Sequence, residues 1–238
     1  MAGPRRLGRI AGAFYLVNIV LGAFAIGIVP SMLFVSGDAG ATAHNLQAHE
    51  LLYRSSIAAG LVGALTNFPL ALIFYELFKV ANRRLALLVV YFTLVATAVQ
   101  ISYAVNQFEP LMLLSGAPYS HALGQAQIEA LAYQPFAGAT LSYDVSSVIF
   151  AFYAIAIGVL IFGSRLLPRV IGLLMIVDGI GYLVYGFSEF LVPGFAAHLV
   201  PWIQLPVLAG EGSLCLWMLI PGVNEGRWIE LERAGPGG

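Results

Sequence analysis

The sequence predicts an all-α, polytopic membrane protein with six transmembrane helices and both termini cytoplasmic. Three observations point there. Hydrophobic residues make up 60% of the 238 positions and charged residues only 10%, with a mean hydropathy of +0.87. Soluble domains carry roughly 25% charged residues, so this supply cannot cover a water-facing surface. Six stretches are long enough to cross a hydrocarbon core, which takes about 20 apolar residues. Basic residues collect on one side of that arrangement, ten against one.

Taken in order, the spans are about 8–29, 52–78, 85–108, 137–162, 170–192 and 201–221. Pro30, Pro110, Pro168 and Pro193 mark span ends, as expected of a residue that interrupts helices. "ANRR" at 81–84 and "GSRLLPR" at 163–169 are short connections, whereas 30–51 and 109–136 are longer and more polar. Arg5, Arg6, Arg9, Lys79, Arg83, Arg84, Arg165, Arg169, Arg227 and Arg233 share one side, and Arg54 lies on the other. Basic loop residues stay in the cytoplasm, so the expected location is a bacterial plasma membrane with the termini inside. "RRLGR" has the look of a signal-peptide start, but the apolar run is longer than an h-region and lacks a small-x-small site. A retained first helix is expected, giving a six-helix domain over 1–224 and a cytoplasmic tail over 225–238. In that tail Trp228 reads as an interfacial anchor followed by a disordered end. The outer segment 109–136, rich in Ala and Gln, suggests a short amphipathic helix on the membrane surface.

"RIAGAFYLVNIVLG", "GDAGATAHNLQAHELLYR", "NRRLALL", "LLPRVIGLLMIVDGIGYLV" and "GEGSLCLWMLIPGVN" follow one another along nearly the whole chain. Together they resemble a bacterial membrane family catalogued as domain of unknown function 4386. The resemblance implies a six-helix membrane protein without an assigned activity. It also implies a pattern like His49-Glu50-x-x-x-Arg54 after the first span and Gly210-Glu211 in the last. The chain departs from the family at Pro221, where a basic residue is usual.

Ionisable groups at membrane depth are costly, and by default they mark function. Glu76 and Lys79 are three apart near a span end and can pair and snorkel. Asp178 and Glu211 differ. Asp178 lies roughly 12 Å from the inner end of span five and Glu211 roughly 15 Å from that of span six, at 1.5 Å per residue. If the two face each other, both cannot stay ionised cheaply. A shared proton, a bound cation, a cationic ligand or a water-filled cavity would each relieve the repulsion.

Helical spacing extends this polar set. Asp178, Tyr182, Tyr185 and Glu189 form one stripe on span five, and Gln204 and Glu211 share a face of span six. Thr93, Thr97, Gln100 and Gln107 line span three, Tyr143, Asp144 and Ser147 crowd the outer half of span four, and Asn18 and Asn67 add polar groups at depth. Such stripes face the bundle interior, because lipid cannot satisfy them. The plain alternative is that Asn, Gln and Thr only hold helices together, at about 0.6 kcal/mol per interaction.

"AHNLQAHELLYR" reads as a short surface helix running into span two. Glu50 precedes Arg54 by four residues, the favourable order for an intrahelical pair. Arg54 can also snorkel to lipid phosphate or reach Asp144. "HELLY" is not the zinc-protease motif, since Tyr53 stands where the second histidine belongs. A metal site from His49, Glu50, His121 and His198 is a weaker alternative, as all four lie on the outer side. Cys215 is the single cysteine, which excludes an internal disulfide and a cysteine metal cluster. With a net charge of −1 and no basic stripe, nucleic acid is not an expected partner. No cofactor motif appears.

The expected partners are the lipid bilayer and a small-molecule or lipid ligand, with a homo-oligomer left open. The first expected function is binding or transport of a small molecule, lipid or cation in a polar bundle interior, with Asp178 and Glu211 at its centre and Tyr182, Gln204, Asp144, Arg54, Glu50 and His49 as further candidates. An intramembrane enzyme using the outer-face histidines with Glu50 or Asp144, or a structural or accessory subunit, are the alternatives.

Overall fold

The computed structural model describes residues 3–116, 122–137 and 140–235, apart from the side chains at 137, 140–143, 193, 197, 200, 201 and 204. Among the described residues the fold is all-helical. Five stretches are long and apolar enough to cross a membrane: Pro4–Leu33, Glu50–Phe78, Arg83–Leu114, Asp144–Ser164 and Arg169–Leu191. A shorter apolar stretch, Leu205–Leu219, lies where the last span is expected and ends a helix that begins at Pro193.

In chain order the helices are α1 (Pro4–Gly22), α2 (Val29–Leu33), α3 (Ala39–Ala48), α4 (Glu50–Phe78), α5 (Arg83–Asn106) and α6 (Glu109–Leu114). They continue with α7 (Gln125–Ala137), α8 (Thr140–Ser164), α9 (Arg169–Leu191), α10 (Pro193–Leu219) and α11 (Glu225–Ala234). Between α1 and α2, Ala23–Ile28 is wound as a π-helix. Pro30 therefore does not end the first span. The Val29 N–H donates to Phe24 O, five residues back, and Pro30 then falls in the first turn of α2. A ring there removes no needed donor. Pro110 and Pro193 likewise open helices rather than close them.

The chain divides into two compact units. The first takes Met1–Val17, Thr66–Thr97 and Asp144–Gly238. Its helices approach closely at several glycines. A Cβ on Gly172 would lie 2.7 Å from Gly158 O, and one on Gly179 2.6 Å from Ala151 O, so α8 and α9 meet backbone to backbone. Gly172, Gly179 and Gly186 recur every seven residues, the period that keeps a seam on one face of a left-handed helix pair. Gly12 brings α1 equally near α10, where a Cβ would meet the Leu219 backbone. Gly8 and Gly12 thus serve packing within the chain. The tail folds further than expected. Asn224 accepts from Arg227 N–H as N-cap, Glu225 sits in the first turn and Arg233 in the last, and the helix continues to Ala234. The Trp228 indole anchors α11 by donating to Leu77 O at 3.1 Å.

The second unit takes Asn18–Leu65 and Ala98–Tyr143. Its core gathers Val29, Leu33, Leu46, Tyr53, Ile57 and Leu111. Asp38 caps α3, Asn45 Nδ2 donates to Leu33 O, and the Tyr133 hydroxyl accepts from Gly37 N–H. Phe34 stacks on Tyr133 and Phe136. The described parts of the two long polar segments therefore include helices, and these share a core with Val29, Tyr53 and Ile57 of the apolar stretches. His49 breaks the expected continuous helix into α3 and α4, its ψ of 35° lying outside the α region.

Candidate functional site

Helix spacing puts Asp178 on the face of α9 that packs within the first unit, and the side chain is fully buried, at 0% exposure. Neither carboxylate oxygen has a hydrogen-bond partner among the described residues. Such an acid is expensive in a low-dielectric interior unless something supplies positive charge or a proton. One ionisable neighbour is another acid. Gly210 of α10 lies against Asp178, where a Cβ would stand 3.0 Å from Asp178 Cβ and 3.2 Å from Leu174 O. That close approach brings the next residue, Glu211, to the same level, and the two carboxyl groups interact. The Tyr182 hydroxyl, one turn along α9 from Asp178, donates to Glu211 Oε1 at 3.2 Å.

Two further tyrosines belong to this cluster. Tyr15 follows Gly12 by one turn, and the Gly12 contact with α10 carries it to Glu211. Tyr153 reaches it from α8. Both hydroxyls are buried, close enough to interact with Glu211 and with each other, yet in no aligned hydrogen bond. Phe150 packs edge-on to Tyr182 and tilted against Tyr153, fixing both rings. Tyr15 and Tyr153 also border a cavity of about 10 Å³, whose lining includes Asn67, Thr93, Phe74 and Phe150. That is near the smallest space that holds one water. Asn67 Nδ2 donates to Thr97 Oγ1 at 3.1 Å, joining α4 to α5 beneath the tyrosines.

Other sequence candidates lie elsewhere. Asp144 is buried on α8, beside Gly186 of α9 and therefore one seam step from Asp178. The Gln204 side chain lies outside those described. Tyr185 donates to Glu189 rather than toward the carboxylate pair. Arg54 Nε donates to Glu50 Oε1 at 2.6 Å, and both side chains are about half exposed. Of the outer metal alternative, Glu50 is thus held by Arg54, His198 Nδ1 bonds Gly194 O within its own helix, and His121 lies outside the described residues. No grouping of three metal-ligating side chains occurs among the described residues. Cys215 is buried, its Sγ 3.6 Å from Gly12 O, a packing contact.

Tyr15 and Tyr153 escaped notice in the sequence because an aromatic residue in an apolar run reads as core. The available signal was the hydroxyl, which needs a polar partner when buried.

The sequence model of a family described as "Domain of unknown function (DUF4386)" matches residues 10–222. The chain belongs to that family. No curated protein and no solved structure matches it.

Proposed function

We propose that this member of the family is a six-span protein of the bacterial plasma membrane, with both termini cytoplasmic, whose interior carboxylate pair binds a proton. Binding or transport of a small molecule, lipid or cation is the process to which that proton is coupled. The topology rests on the ten-to-one asymmetry of basic residues and on α10 supplying the sixth span through Leu205–Leu219. The function rests on one observation: the fully buried Asp178, without a hydrogen-bond partner, beside Glu211 on the neighbouring helix.

Two acids at close range in a dry interior share a proton rather than both ionise. A proton suits the site better than a metal cation, which asks for several oxygen ligands at once. The tyrosines at 15, 153 and 182 give hydroxyls that can donate to whichever carboxylate is charged. A cavity about the size of one water supports a proton's path more than an organic molecule's.

The test is proton movement in liposomes holding the purified protein and a pH-sensitive dye, under an imposed pH gradient. Wild type should speed the collapse of the gradient, and Glu211→Gln should return it to the rate of empty liposomes while inserting equally well. Equal rates for both proteins would overturn the transport reading.

A further inference from the structure

At the far end of the first unit from Gly186, the helix termini leave an open groove. It forms where α1 begins, α8 ends, α9 begins, α10 ends and α11 begins, with a volume of about 630 Å³. That falls within the range of small-molecule sites. Three of its lining residues are arginines (Arg5, Arg165 and Arg169) against one acid, Glu225. None of the three has a carboxylate partner among the described ion pairs.

Arg5 and Arg169 are held in place without being neutralised. Arg5 Nε donates to Pro221 O at 3.1 Å, which leaves the terminal nitrogens of its guanidinium for another acceptor. Arg169 donates through Nε to Phe162 O and lies over the Phe162 ring at 5.0 Å. It also opens α9, whose N-terminus has no side-chain cap, so the positive end of a 23-residue helix faces the same place. Arg165 has φ of +60°, the left-handed region that L residues other than Asn and Asp rarely adopt. A glycine would suit that backbone better, so the side chain there needs a reason of its own.

Apart from Asn224 the rest of the wall is apolar. Leu166 is buried and Trp217 partly exposed along it. A groove basic at its rim, apolar along its side and placed at the helix ends matches an amphiphile lying in the membrane interface. We propose that it binds an anionic phospholipid, with Arg5, Arg165 and Arg169 on the headgroup phosphate and Trp217 against the glycerol and upper acyl chain. Basic pockets between membrane helices on the cytoplasmic side bind anionic headgroups in this way. The site is separate from the carboxylate pair and stands whether or not that pair carries a proton.

The test is native mass spectrometry of the full chain in detergent, with equal amounts of phosphatidylglycerol and phosphatidylcholine added. Wild type should keep phosphatidylglycerol in preference. Arg165→Gly relieves the backbone as it removes the charge, so the fold should persist while retention falls about fivefold. Arg169→Gln should give a similar loss, and circular dichroism checks that both variants stay helical. Equal retention of the two lipids by wild type, or unchanged preference in both folded variants, would overturn the proposal. Inorganic phosphate in excess should not displace the lipid. Full displacement would overturn the lipid assignment and leave a site for free phosphate.

Discussion

Gly172→Ala tests the packing that holds α8 and α9 together. A Cβ at this position would stand 2.7 Å from Gly158 O and 2.8 Å from Phe162 N, both backbone atoms that no rotamer change can move. Ordinary contact begins near 3.4 Å, so the helices must separate by about 0.7 Å (3.4 less 2.7) at this level. Overpacking of this kind costs about 1–3 kcal/mol. In a chain of this length each kcal/mol shifts the melting temperature by about 2–4 °C. Gly163→Ala is the paired control. It lies on the same helix as Gly158, and beyond its own helix backbone no described atom comes within 4 Å of its added Cβ. There alanine should be neutral or gain up to about 1 kcal/mol in helix propensity. Thermal unfolding in one detergent, followed by tryptophan fluorescence, reads both. A Gly172→Ala protein that melts at or above wild type would refute the seam as described.

Three further outcomes are expected. Asp178→Asn should hold or raise the melting temperature, because both native oxygens lack hydrogen-bond partners; a loss of more than about 2 kcal/mol would show a partner the carboxylate needs. Asn67→Ala removes the bond to Thr97 and strands a buried hydroxyl, for a cost of about 1 kcal/mol in the same melting assay. Glu50→Gln breaks a half-exposed i,i+4 pair and should change stability by no more than about 0.5 kcal/mol, with a larger fall counting against a surface role for it.

The apolar elements were legible because the bilayer demands continuous runs. The span expected at about 170–192 is the helix Arg169–Leu191, and that at 52–78 is Glu50–Phe78. Pro30 misled, since a proline looks the same in sequence whether it ends a helix or follows a π-turn that frees it to begin one. The shared depth of Asp178 and Glu211 could be counted from the chain. Their approach could not, because it depends on Gly210 and on which helices are neighbours. The glycine seam has a period of seven that only gains meaning once α8 is known to face α9. Arg165 and Arg169 had an adequate explanation in membrane orientation, which concealed the groove they share with Arg5.

The central claim is that Asp178 and Glu211 hold a proton between them. Infrared spectroscopy of the protein in lipid, across a pH titration, tests this most directly. Wild type should show the C=O stretch of a protonated buried carboxyl group, and that band should change in frequency and in pH dependence in Asp178→Asn and in Glu211→Gln, where the remaining acid no longer shares its proton. A wild-type spectrum without the band, or one that both variants retain unchanged, would contradict the account.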